Sequence, residues 1–165
     1  MRGLAALLLL VALGGCGLRP LYSGGGSGPV AQSLRNVEVG PIGGRAGWLV
    51  RNALHDRLGT KPGESHGYRL EVKLDDDITG FGIRADDAVT RERRTLRARY
   101  QLIDAAKGTV LVDATAGSDV GIDVVSSEYA TVAAEQTALE HLAKAIADQI
   151  VTRIAVYSTR EGVAR

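Results

Sequence analysis

Five arginines crowd one short stretch, Arg91, Arg93, Arg94, Arg97 and Arg99, with Arg84 just before them and Glu92 as the one acidic interruption. A guanidinium is a planar fork that can give two parallel hydrogen bonds to a phosphate. The cluster, through Arg91 and Arg93 near its start above all, is therefore the candidate site for a phosphate-bearing ligand. The same spacing also describes a solvated strand face whose arginines are cross-paired with Glu71, Asp75 and Asp113 on neighbouring strands. Other chemistry is thinner. His55, His66 and His141 are far apart, and none has a histidine or cysteine at metal-ligand spacing. His55 and Asp56 are sequence neighbours, which on a helix point about 100° apart. No G-x-S-x-G elbow supplies a nucleophile. Asp75, Asp76 and Asp77 fall in what reads as a solvated acidic turn, without the spacing of an EF-hand. No catalytic constellation emerges, so the expectation is a non-enzyme without metal or cofactor.

The remaining reactive side chain is Cys16, the one cysteine of the chain. Met1 to Gly15 carries Arg2 and then the apolar run LAALLLLVAL, which is too short to span a bilayer and ends in small residues, as an export signal does. Leu13-Gly14-Gly15-Cys16 resembles a bacterial lipobox, in which the thiol after the cleavage point receives a diacylglyceryl group. The alternative is an ordinary cleaved signal with an incidental cysteine. Position favours lipidation, because the single thiol falls where the apolar run stops. Buried methylenes contribute about 0.8 kcal/mol each, so a chain carrying several acyl groups would stay anchored. No aspartate follows Cys16, which points to the outer membrane, on its periplasmic side. Removing residues 1–15 takes Arg2 away and leaves 19 basic against 19 acidic residues. A neutral exported chain argues against nucleic acid as a partner.

The elements that must position these residues follow from periodicity. Residues 16–35 form the lipidated start and a Gly/Ser linker, with SGGGSGP at Ser23 to Pro29. Residues 36–158 form the folded domain, and 159–165 a polar tail. Asn36 to Ile42 alternates and stops at Gly-Pro, as a short strand does. Gly44 to Leu58 has Val50, Leu54 and Leu58 at helical spacing and Gly59 as its stop, with Trp48 expected in the core or half-buried. Tyr68 to Leu74 alternates clearly and is followed by the turn-like DDDITGFG. Ala88 to Ile103 sets Leu96, Ala98, Tyr100 and Leu102 opposite Arg93, Thr95, Arg97 and Arg99. Thr109 to Ile122 alternates again. The last element starts at a Ser126 or Ser127 cap and runs to about Tyr157. The expected fold class is α+β, in the order β-α-β-β-β-α. A four-stranded, mostly antiparallel sheet that is polar on one face carries both helices on the other.

With the elements placed, three segments carry a family resemblance. The start CGLRPLYS, the stretch DDDITGFGIRADDAVTRERRTLRARYQLID and the ending SSEYATVAAEQTALEHLAKAIADQIVTRIAVY are similar to the LPS-assembly lipoproteins of the LptE family, in the form seen in alphaproteobacteria. The resemblance implies an outer-membrane lipoprotein that pairs with the β-barrel translocon LptD, sits largely in its lumen as a plug, helps it assemble, and aids placement of lipopolysaccharide in the outer leaflet. It also implies a four-stranded sheet with two helices on one face. A polar lumen wall suits a neutral domain of mixed charge. Lipopolysaccharide carries phosphate, which gives the arginine strand a specific ligand. The competing expectation is a lipid-anchored periplasmic domain that binds a ligand or activates an envelope enzyme without a barrel.

Overall fold

A computed structural model describes residues 28–60, 67–83 and 89–163. Seven elements follow one another: α1 (Pro29–Arg35), β1 (Val37–Val39), α2 (Gly44–Leu58), β2 (Tyr68–Ile83), β3 (Val89–Asp104), β4 (Val110–Asp123) and α3 (Glu128–Val163). The sheet order is β1-β2-β3-β4. β1 runs parallel to β2 across the α2 crossover, and the β2-β3-β4 meander is antiparallel. The α+β class and mostly antiparallel sheet agree with the sequence reading. The order gains a helix at its start.

That helix, α1, occupies part of the segment read as linker. Pro29 stands at its first turn, where a missing N–H costs nothing, and Asn36 closes it. The second correction is larger. The acidic stretch after Leu74 is strand and not turn, because β2 continues to Ile83. Its partner explains why. β2 pairs with β3 without a break from Tyr68↔Asp104 to Phe81↔Arg91, which sets Asp75 opposite Arg97 and brings Asp76, opposite Leu96, diagonally onto Arg94. Cross-strand attraction of this kind outweighs the weak strand propensity of Asp and Gly.

The long helix scales with the long hairpin. Thirty-six residues of α3 span about 54 Å at 1.5 Å per residue, and sixteen-residue strands span about 53 Å at 3.3 Å. Ser127 caps α3: its hydroxyl accepts from the Ala130 N–H at 3.4 Å, and its carbonyl accepts from the Thr131 N–H at 3.1 Å. The helix passes Tyr157 and reaches Val163, through most of what reads as a tail.

The core lies between the sheet and the helices. Leu142, Ile146, Ile150 and Ile154 of α3 and Val50, Leu54 and Leu58 of α2 are buried against Leu70, Leu96, Tyr100 and Leu102 of the sheet. Each such side chain contributes about 1.5–3 kcal/mol on burial. α2 ends where the sequence places its stop: Gly59 has φ 65° and donates its N–H to the His55 carbonyl at 3.0 Å. Val110, at the start of β4, is exposed, next to a register shift that places Leu102 opposite Val112 and Ile103 opposite Val110. Trp48 is exposed too, at 63%, where a core or half-buried site was expected. The buried residues of α2 are Gly47, Val50, Ala53, Leu54 and Leu58, and Trp48 lies one residue, about 100°, away from that line.

Candidate functional site

The sheet has two chemically distinct faces. Even-numbered residues of β3 turn toward the helices, and Leu96, Ala98, Tyr100 and Leu102 are buried there. Odd-numbered residues from Arg91 to Gln101 point the other way, where none of the described helices lies over them. Arg91, Arg93, Arg97 and Arg99 therefore form one exposed row on the open face.

Arg94 does not belong to that row. It shares the parity of Leu96, and its side chain is 13% exposed on the helix side. There Nε and Nη2 donate to the two carboxylate oxygens of Asp76 at 2.9 and 2.6 Å, and Nη1 donates to the Glu135 carbonyl on α3 at 3.0 Å. With its donors committed inside the fold, Arg94 is a structural cation that ties β2, β3 and α3 together. Its pKa is raised above the ordinary arginine value, chiefly by the hydrogen bonds to Asp76.

Three arginines of the open row are held by aspartates of β4. Arg91 Nε donates to Asp123 at 2.8 Å. Arg93 faces Asp119 at 3.7 Å and stacks on the ring of Phe81, 5.5 Å from its centroid. Arg99 Nη2 donates to Asp113 at 3.1 Å, and Gln101 Nε2 donates to the same carboxylate at 2.8 Å. Those two donors hold the Asp113 carboxyl below the usual carboxylate range. These pairs are exposed, so each contributes little to stability.

Arg97 differs. It stands opposite Asp75 on β2 and Gly117 on β4, yet among the described residues it makes no ion pair and no side-chain hydrogen bond. An open trough of about 620 Å³ surrounds it, lined also by Lys73, Thr95, Arg99, Thr115 and Asp119. Hydroxyls, two further cations and the carboxylates of Asp75 and Asp119 thus ring an uncommitted guanidinium, while Gly117 adds no side chain to the space. This is a place where an anionic group could accept hydrogen bonds.

The cross-paired strand face expected from the sequence is therefore largely what the structure contains, with different partners. Asp113 pairs as expected, Glu71 instead pairs with Arg69 of its own strand at 3.0 Å, and Asp119 and Asp123 were not anticipated. Their signal was present in the parity of β4, where Asp113, Asp119 and Asp123 share one face. The aspartate run splits: Asp75 and Asp77 lie on the open face and Asp76 on the other, so the three do not converge. No cluster among the described residues could hold a metal ion. His55 Nδ1 lies 2.8 Å from the Thr60 hydroxyl, and His141 is exposed on α3. Cys16, His66 and Arg84 lie outside the described residues.

Comparison with known proteins decides what this scaffold is. The LptE family, described as lipopolysaccharide-assembly, matches residues 34–154, which takes in every strand and most of α3. The chain belongs to the LptE family. Solved structures agree on the fold. A lipoprotein from Caulobacter crescentus is 26% identical with a TM-score of 0.68, and the match covers 79% of this chain and 96% of that one. A minor lipoprotein from Acinetobacter baumannii, at 12% identity and a TM-score of 0.59, matches over 74% of this chain and 92% of its own. Lipoprotein B from Nitrosomonas europaea, at 14% identity and 0.57, matches over 76% and 88%. No curated protein sequence matches the chain. Membership in LptE makes this an LPS-assembly protein of the cell envelope. Among the described residues no helix is long and apolar enough to cross a membrane.

Proposed function

We propose that this LptE-family chain is an outer-membrane lipoprotein, anchored through a lipid on Cys16 on the periplasmic side, that forms a heterodimer with the LptD barrel. In this reading it plugs the lumen, assists barrel assembly and aids insertion of lipopolysaccharide into the outer leaflet. It acts by binding and not by catalysis, and uses no cofactor. The observation that carries the reading is the family match over residues 34–154. The open face of the sheet supports it: this face is polar and internally charge-balanced, with Arg91, Arg93 and Arg99 neutralised by Asp123, Asp119 and Asp113. Apart from Arg97, such a surface can lie against a polar lumen wall without burying unpaired arginine charge.

Within the proposal, lipopolysaccharide phosphate is taken at the trough around Arg97, with Arg99 and Lys73 beside it. Arg91 and Arg93 are secondary contacts, because each must first leave an aspartate. Detergent extraction of the native membrane tests the partnership. The expected result is co-isolation with a barrel of roughly 80–90 kDa, the size of a large outer-membrane transporter. Recovery of the chain as a free monomer would overturn it.

A further inference from the structure

α2 carries a second basic site, on a different element from the arginine strand. Trp48 is 63% exposed, and it is flanked by Arg45 three residues before and Arg51 three residues after, both exposed. Residues three apart on a helix lie within about 60° of each other, so the three side chains form one stripe. Among the described residues, neither Arg45 nor Arg51 makes an ion pair, whereas Arg57, farther along the same helix, is tied to Asp148. No acidic residue occurs in the first turn of α2, and no side chain caps its N-terminus, so the positive end of the helix dipole adds to the two guanidinium charges.

An indole with an arginine on each side matches one environment well. Tryptophan has an apolar body and one N–H donor, and it favours the headgroup level of a bilayer, where one end is dry and the other wet. Arginines beside it can donate to lipid phosphates while their stems lie along the acyl boundary. The length of chain before the fold limits how far the fold can stand from the anchor. Twelve residue steps separate Cys16 from Gly28, the first described residue. At no more than about 3.6 Å per step, Gly28 stays within about 43 Å of a lipid on Cys16, whatever path the chain takes.

We propose that the Arg45, Trp48 and Arg51 stripe docks on the headgroup region of an anionic phospholipid leaflet, with Trp48 entering the interface and the two arginines on phosphate. The nearness of the leaflet rests on the Cys16 anchor reading, but the docking chemistry does not. Trp48 is the sole tryptophan of the chain, so its emission reports this site alone. The test uses the chain from Cys16 onward, which contains every described element, with Cys16→Ser so that no lipid is attached. It is titrated with vesicles of phosphatidylglycerol and phosphatidylethanolamine, with vesicles of phosphatidylcholine, and with vesicles carrying brominated acyl chains. The expected result is a blue shift on the anionic vesicles, quenching by bromine and loss of both at high salt. Arg45→Gln with Arg51→Gln should weaken partitioning about 30-fold while the circular dichroism is unchanged. Emission that ignores anionic vesicles, or binding indifferent to the double substitution, would overturn the docking. Mass spectrometry of the mature amino terminus judges the anchor separately: an unmodified Cys16 sinks that reading and leaves the vesicle result to stand by itself.

Discussion

The side-chain amide of Gln149 on α3 pairs with the backbone of Gly117 on β4: its Oε1 accepts from the Gly117 N–H at 3.2 Å, and its Nε2 donates to the Gly117 carbonyl at 3.1 Å. β4 is an edge strand of the sheet. One glutamine therefore occupies edge groups that another strand would otherwise claim, which is one way to blunt an open edge. Replacing Gln149 with Ala should lower stability by about 0.5–1.5 kcal/mol, read from urea unfolding. It should also raise self-association, read by light scattering at rising concentration. A variant as stable and as monodisperse as the parent would refute this role.

Arg57 and Asp148 join α2 to α3 through a bidentate ion pair, with Nη2 donating to the second carboxylate oxygen at 3.0 Å. The Arg57 hydrogen bonds hold the Asp148 carboxyl below the usual carboxylate range. A carboxyl whose folded pKa is depressed adds stability above its unfolded pKa of about 3.9, and that stability is lost as the pH falls through the folded value. The Asp148 side chain is 64% exposed, so solvent screening keeps the contribution at neutral pH below about 1 kcal/mol. Asp148→Asn should therefore melt a little below the parent at pH 7, with the gap closing as the pH falls below the usual carboxylate range. An undiminished gap in acid would show that the pair is not its source.

Gly47 is buried in α2, and a Cβ there would come within 2.5 Å of the Ile42 carbonyl oxygen and 2.7 Å of its carbon. Both are backbone atoms, so neither can rotate away. An alanine in mid-helix normally stabilises by up to about 1 kcal/mol relative to glycine. Here overpacking should prevail, and Gly47→Ala is expected to destabilise by about 1–3 kcal/mol. Gly121, whose Cβ position has no neighbour within 4 Å, is the control, and Gly121→Ala should leave the thermal midpoint almost unchanged. Equal midpoints for both variants would contradict the close approach.

The contrast between these elements shows what a sequence reader could see. The bounds of α2 were legible because Val50, Leu54 and Leu58 share a stripe and Gly59 takes the left-handed conformation that ends it. The two faces of β3 were legible from alternation alone. The extension of β2 was not: its Asp and Gly residues are local turn signals, and only the arginines of β3 on the neighbouring strand reverse them. α1 is too short to show a period. Trp48 was misplaced by residue type, although the stripe through Val50 and Leu54 passes through Gly47 and leaves the indole outside. Arg94 was grouped by density with its neighbours, while its even number already placed it with Leu96. The freedom of Arg97 had no sequence signal, since it depends on which aspartates of β4 reach which arginines.

Arg94 and Arg97, three residues apart, should respond oppositely to substitution. Arg94→Gln removes a guanidinium from a partly buried pair and leaves Asp76 and the Glu135 carbonyl short of donors. The expected cost is about 2–4 kcal/mol in unfolding free energy, with lipopolysaccharide binding by the folded fraction unchanged. Arg97→Gln breaks nothing in the fold, so the unfolding curve should overlay the parent. If the trough takes phosphate, however, its affinity for lipopolysaccharide should fall about tenfold or more, the scale of one charge-assisted contact. Paired substitution of Arg91 and Arg93 with Glu should weaken binding less than Arg97→Glu, because neither arginine lines the trough. Titrating immobilised lipopolysaccharide with each folded variant checks the ranking. Parent-like binding by Arg97→Glu would remove the trough from the proposed function and leave the open face as a structural surface.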